Sequence, residues 1–159
     1  ATLTDSEGKK YIDFTSGIGV NSLGYADAAW VDAVAGQAAK LQHISNLYYN
    51  EPSALLAEKL CEMAGFEKVL FCNSGAEANE SAIKIARKYS FDHYGEGRGK
   101  VITLVNSFHG RTMATLAATG QDVFHNYFFP FPEGFAYAEA NDLEALKEAA
   151  DDTVCAVVL

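Results

Sequence analysis

Two short stretches of this chain combine residue types that can hold an anion and a flat, carboxylate-bearing ligand. In Ser74-Gly75-Ala76-Glu77 the S-x-x-E spacing lets the serine hydroxyl accept from the amide three residues on, while the glutamate reaches back. The same spacing also serves an ordinary helix cap. Position adds a second reading: the turn directly follows the apolar run Val69-Leu70-Phe71-Cys72. A glycine-containing turn between a buried strand and a helix leaves free amides at a positive helix end, on the sheet edge where α/β proteins bind ligands. Gly75 allows the backbone a close approach. A phosphate or a carboxylate is what such a turn can bind.

The second stretch, Ser107-Phe108-His109-Gly110-Arg111-Thr112, occupies the equivalent turn after the next apolar run, residues 101–105, and so opens onto the same edge. Arg111 is one of three arginines; its fork can grip a carboxylate bidentately or lie solvated. Phe108 can pack, or it can stack on a flat ligand. His109 has the chemistry of a general base, but no Ser or Cys nucleophile with a third orienting group is readable nearby. No catalytic residue is therefore assigned.

The elements that must position these turns follow from periodicity. Residues 10–14 alternate as a short strand and lead into the glycine-containing segment 16–21; 28–41 and 53–63 read as helices, the second entered through Pro52. Strand 69–72, helix 77–93 and strand 101–105 form a βαβ crossover, which predicts an α/β fold with a mostly parallel sheet covered by helices. Then come a short helix over 113–119, an aromatic loop over 121–138 with Pro130 and Pro132, a helix from the Asp142 cap to Ala150, and a strand over 154–159. The glycines of 95–99 follow a helix rather than a strand and read as a loop. Asn79-Glu80-Ser81 reads as a chance glycosylation sequon, and the aromatics of 127–131 as core or subunit contact.

Composition bounds the remaining choices. With 159 residues, 49% of them hydrophobic and 21% charged, the chain suits one globular domain, and no apolar run reaches the ~18 residues that would cross a bilayer. A formal net charge of -9 and no Lys/Arg cluster argue against a nucleic-acid partner. Cys61, Cys72 and Cys155 lack CxxC or zinc-ligand spacing and read as reduced core thiols, so no metal site is expected. The first 30 residues carry no secretory signal pattern, which makes a reducing cytoplasm the expected compartment. The chain opens on Ala1 and closes inside the apolar run 154–159, so a longer parent protein is expected.

Three groups of residues, in order and at matching intervals, resemble the class III pyridoxal-phosphate aminotransferases: Tyr11-Ile12-Asp13-Phe14 with residues 16–21, residues 71–80, and residues 107–112. The similarity runs the whole chain. Residues 45–52 and 17–21 are most similar to the branch acting on N-acetylornithine. The resemblance implies the fold type I transferase architecture, pyridoxal 5'-phosphate as cofactor, and transfer of the amino group of N-acetylornithine to 2-oxoglutarate in arginine biosynthesis. Succinylornithine, ornithine or 4-aminobutyrate are the alternative donors, and a non-catalytic anion-binding α/β domain is the reading outside the class.

For single residues, the resemblance implies that Gly75 and Ala76 bind the cofactor phosphate through their amides with Ser74 adjoining, that Phe108 stacks on the pyridine ring, and that Arg111 holds the substrate α-carboxylate. Ile18 falls where related ornithine enzymes carry a substrate-pocket tyrosine, and Tyr25 stands where the family usually has histidine. The Schiff-base lysine, the aspartate that pairs with the pyridine nitrogen and a carboxylate-managing glutamate lie, in the family, beyond the equivalent of Leu159. Residues 1–50 are expected to contribute to the small domain and the active-site entrance, and 51–159 to form the first part of the large domain. A homodimer is implied, with 127–131 and 45–52 as contact surfaces and small molecules as the other partners. The family's sheet sets later strands between 69–72 and the strands at 101–105 and 154–159, so the isolated stretch is not expected to fold as a stable catalytic unit.

Overall fold

A computed structural model describes all residues, 1–159. The chain divides into two compact units, Ala1–Glu67 and Lys68–Leu159.

The first unit begins with an antiparallel hairpin, β1 (Thr2–Thr4) and β2 (Lys10–Ile12), paired Thr2 to Ile12 and Thr4 to Lys10. Its turn is organised by Asp5, whose carboxylate accepts from the Glu7 and Lys9 amides and from the Tyr11 hydroxyl. Such a local side-chain acceptor is what makes Asp a turn residue. Helix α1 (Ala28–Lys40) starts at Asp27, which accepts from the Trp30 amide, and α2 (Glu51–Ala64) starts at Asn50, which accepts from the Ser53 amide. Pro52 occupies the first turn of α2, where its missing N–H costs nothing, and Gly65 ends the helix in the left-handed conformation.

The second unit is built around one strand. β3 (Lys100–Leu104) is the middle of a three-stranded sheet, parallel both to β4 (Phe135–Ala138) and to β5 (Val154–Val157). Val101, Ile102 and Thr103 of β3 are completely buried, as expected of a parallel strand covered on both faces. The buried Thr103 hydroxyl donates to the Ala118 carbonyl at 2.7 Å, which removes the penalty of an unpaired polar group. Helix α3 (Gly75–Tyr94) contributes Ile83 to a core with Val101 and Ala118, against which Phe135, Cys155 and Val158 pack. Its C-terminal half is tied down by Ser90, which donates to the Arg98 carbonyl at 2.7 Å, and by Arg87, which donates to the Gly99 carbonyl at 3.0 Å. Helices α4 (Met113–Ala118) and α5 (Leu143–Ala149) complete the cover, α5 packing on β4.

The α/β reading with a parallel sheet and covering helices therefore describes the second unit. Three details differ from the sequence expectation. Residues 69–72 join no ladder, because both edges of β3 are taken by β4 and β5 and no other strand of residues 1–159 lies alongside them; Leu70 and Phe71 are accordingly exposed. A strand is defined by its partner, and an apolar run alone does not supply one. The stretch expected to be wholly loop contains β4, whose Phe-Ala-Tyr-Ala alternation pairs small residues with aromatics and carries a weak strand signal. Cys72 is exposed rather than in the core, while Cys61 and Cys155 are half-buried; all three thiols are free.

One glycine fixes the exit from β3. Gly120 forms an isolated parallel bridge with Val105, and its carbonyl accepts from the Asn106 amide at 2.6 Å. A Cβ at Gly120 would lie 2.1 Å from the Leu104 carbonyl oxygen, a clash with backbone that no rotamer change relieves. Gly120→Ala in the full-length protein should therefore lower stability by at least the ~1–3 kcal/mol typical of overpacking. Thermal unfolding measures this, and an unchanged midpoint would contradict the close approach.

Candidate functional site

Helix α3 opens as its sequence spacing requires. Ser74 has extended backbone and its Oγ accepts from the Glu77 amide at 3.2 Å. Glu77 reaches back as expected, but one residue further than a standard capping box, accepting from the Asn73 amide at 2.6 Å. These two bonds leave the Gly75 and Ala76 amides without an acceptor in the chain. They stand at the positive end of a 20-residue helix, which favours an anion. A Cβ at Gly75 would meet no atom within 4 Å. Nothing in the packing of this chain demands glycine there, and the space beside the amides is open to a ligand.

The turn after β3 is pressed against this helix end. A Cβ on Gly110 would lie 2.7 Å from the Ala76 Cβ and 2.6 Å from the Thr115 Oγ1, and Gly110 has φ +134, a conformation L-residues rarely adopt. Two polar ties hold the same contact: the Asn79 side-chain amide donates to the His109 carbonyl at 2.8 Å, and the Thr112 hydroxyl donates to Glu80 at 2.5 Å. Ala76, Asn79 and Glu80 are spaced i, i+3 and i+4, so they share one face of α3. That spacing was the available signal for Asn79 and Glu80, which sequence reasoning passed over as a chance sequon.

Together these residues form an open cleft of about 440 Å³, lined by Gly75, Ala76, Asn79 and residues 108–111. Phe108 is 52% exposed; its ring is braced edge-on by Phe124, centroids 5.7 Å apart. The ring is thereby held at the cleft with about half of its surface open. The Arg111 guanidinium lies 5.7 Å from the centroid of the same ring. The other two arginines are committed to structure: Arg87 donates to the Gly99 and Glu133 carbonyls, and Arg98 to the Val154 carbonyl while lying over Tyr94. Arg111 has no carbonyl or carboxylate partner in the chain and keeps its fork for one.

His109 is buried, its amide donating to the Thr119 hydroxyl at 3.0 Å, and its Nε2 has no hydrogen-bond partner in the chain. Burial pushes its pKa down, which favours the uncharged imidazole. The structure thus brings Ser74, Gly75, Ala76, Phe108 and Arg111 together within the second unit. Ile18 belongs to the first unit, where it is fully exposed on a turn after β2.

Comparison with known proteins gives concordant results. The profile of the family described as Aminotransferase class-III matches residues 1–159. The acetylornithine aminotransferase of Haemophilus ducreyi is 60% identical over 156 residues, covering 98% of this chain and 40% of that protein. The succinylornithine transaminase of Citrobacter koseri is 47% identical, covering 99% of this chain and 39% of that protein. The ornithine aminotransferase of Toxoplasma gondii, solved with partial occupancy of PLP at its active site, superposes with a TM-score of 0.93 at 33% identity, covering 99% of this chain and 38% of that one. The chain thus spans about 40% of the length of the curated relatives it matches.

The packing of Gly110 on Ala76 separates two glycines of the cleft by experiment. Gly110→Ala should destabilise the full-length protein by ~1–3 kcal/mol through overpacking and a strained φ. Gly75→Ala, which meets nothing, should stay within ~0.5 kcal/mol of the parent. Urea unfolding of both variants checks this, and equal effects would contradict the contact.

Proposed function

We propose, since this chain belongs to the class-III aminotransferase family, that the full-length protein transfers the amino group of N-acetylornithine to 2-oxoglutarate, in arginine biosynthesis, with pyridoxal 5'-phosphate as cofactor. The donor is the one in the names of the relatives at 60% and 55% identity. The observation that carries the reading is the cleft itself, in which a pair of uncommitted helix-end amides, an aromatic face and an uncommitted guanidinium stand side by side.

These residues fit the cofactor. A phosphate needs oriented donors, and the Gly75 and Ala76 amides beside the Ser74 cap supply them, while the Glu77 carboxylate is engaged by the Asn73 amide. A flat heterocycle needs an aromatic face at a fixed height, and Phe108 is braced by Phe124 to provide it. When bound, pyridoxal phosphate supplies the electron sink for amino-group transfer. The chain's own contribution is orientation: Arg111 takes the donor's α-carboxylate bidentately, which fixes the bond to be broken relative to the ring. His109 lines the cleft, and burial lowers its pKa and so favours its uncharged form.

Succinylornithine is the second reading, favoured by the relative at 47% identity; the two donors share the α-carboxylate and differ at the acylated end. The protein is further read as a cytoplasmic homodimer. No helix is long and apolar enough to cross a membrane. The aromatic segment 127–131 leaves Tyr127 and Phe129 exposed, as a contact surface would.

Two measurements test this. Steady-state rates with N-acetylornithine, succinylornithine, ornithine and 4-aminobutyrate should rank N-acetylornithine first; a preference for 4-aminobutyrate would overturn the assignment. Arg111→Ala should purify with cofactor bound yet lose ~100-fold or more in kcat/KM for the amino donor, the loss of a bidentate charge-assisted pair. A variant that purified without cofactor would place Arg111 on the phosphate instead.

A further inference from the structure

Beside the cleft lies a second cavity, of about 330 Å³, built wholly from the second unit. Its walls are Met113 and Leu116 of α4, Val123 and Phe124 of the loop that follows, and residues 126–128, together with Arg111. The loop is not slack. It makes a single 3-10 turn over Asp122–Phe124, closed by the His125 amide on the Asp122 carbonyl at 3.0 Å. The His125 ring donates through Nε2 to the Leu116 carbonyl at 3.0 Å and packs against Phe131 and Tyr137. Phe124, which braces Phe108 at the cleft, also lines this cavity. The two spaces therefore share a fixed wall.

Arg111 lines both spaces, and it is the only charged residue on the walls of this one. The other walls are apolar or aromatic, apart from one amide. Asn126 donates through Nδ2 to the Val123 carbonyl at 3.3 Å, which leaves its Oδ1 as an acceptor with no donor in the chain. A carboxylate held by Arg111 thus stands beside a space suited to an uncharged group that carries one N–H. An N-acylornithine has that group in that place. Its acylated nitrogen is on the same carbon as its carboxylate, and the amine to be transferred is at the other end of the side chain.

We propose that this cavity is the acyl pocket of the donor site: Met113, Leu116, Val123 and Phe124 enclose the acyl chain, and the Asn126 Oδ1 accepts from the amide N–H. This rests on the reading of Arg111 as the site of the donor's carboxylate, and it adds to that reading the class of acyl group. An acetyl group has three non-hydrogen atoms, roughly three water volumes of ~30 Å³ each. The cavity is several times larger, so a longer uncharged chain such as butyryl fits as well. A succinyl group ends in a second carboxylate, which loses its water against apolar walls and finds no cation but the Arg111 already engaged. Free ornithine brings an ammonium beside a guanidinium of the same sign.

The test compares kcat/KM of the full-length protein for N-acetylornithine, N-butyrylornithine and N-succinylornithine, in the parent and in Val123→Arg and Asn126→Leu. The single-turnover reaction with glutamate, which has no acyl group, is the control. The parent should use the butyryl donor within about fivefold of the acetyl donor and the succinyl donor at least about tenfold less well. Val123 is 69% exposed, so its replacement leaves the packing intact. Val123→Arg puts a cation on the wall and should raise the succinyl-to-acetyl ratio about tenfold or more. Asn126→Leu should lower kcat/KM for the acetyl donor about fivefold relative to the glutamate rate, the loss of one hydrogen bond. A butyryl donor rejected by about 100-fold, or an acyl selectivity unmoved by both variants, would overturn the proposal. If none of the N-acylornithines were a donor, the reading of the reaction itself would fail, a result distinct from unmoved selectivity in an enzyme that uses them.

Discussion

The contact between Gly110 and Ala76 is the constraint on which the rest of the second unit depends. The start of α3 and the turn after β3 can meet only if the turn carries no side chain at the point of closest approach, and Gly110 is what lies against the Ala76 methyl group there. Everything around that point keeps the two turns in register. Thr115 and Thr112 cap α4 reciprocally while Thr112 also reaches Glu80 on α3. Thr119 holds the His109 amide, and Asn79 holds the His109 carbonyl. Behind them, Gly120 lies against the end of β3, so the turn is clamped between a buried strand and a helix end. A site on such a frame is held by packed and hydrogen-bonded backbone rather than by loop conformation, which is what precise orientation of a ligand requires.

The frame divides the work between backbone and side chains. The helix start presents backbone amides, which cannot rotate away and carry no side-chain entropy cost in ordering. The turn after β3 presents instead the Arg111 guanidinium, a fork on a flexible stem that can adjust to a carboxylate. The distribution of arginines reflects this division: Arg87 ties α3 to the loop before β3, Arg98 ties that loop to β5, and Arg111 has no such carbonyl. The first unit follows a different principle. It has no apolar core among its own buried residues, and its one buried side chain is the Asp13 carboxylate, which accepts from the Thr15 and Ser16 amides of a turn.

Local chemistry was legible in the sequence wherever a residue acts on its own neighbourhood. The Ser74 cap, the Pro52 entry and the Asp142 cap lie where their spacing puts them, and the helices they start have the expected extents to within a few residues. What depends on a distant partner was not legible. Residues 69–72 have the composition of a strand and no strand to pair with, while residues 135–138 have a weak composition and a full partner in β3. Asn79 looked like a chance sequon because its role is defined by His109, 30 residues away. Gly110 read as one glycine in a turn, and only the position of Ala76 shows why nothing larger fits. Tyr25, a departure from the family pattern, donates to the Asp13 carboxylate at 2.7 Å, a partner that no reading of the residues next to it would supply.

The central claim is that the α3 amides and the Arg111 fork are two separate anion sites on one clamped frame. A crystal structure of the full-length protein with pyridoxal 5'-phosphate and a donor analogue bound tests it most directly. The account predicts phosphate oxygens within about 3 Å of the Gly75 and Ala76 amides, the ring against Phe108, and the analogue's carboxylate paired with Arg111. A phosphate bound by the Arg111 guanidinium, with the α3 amides turned to solvent, would contradict it.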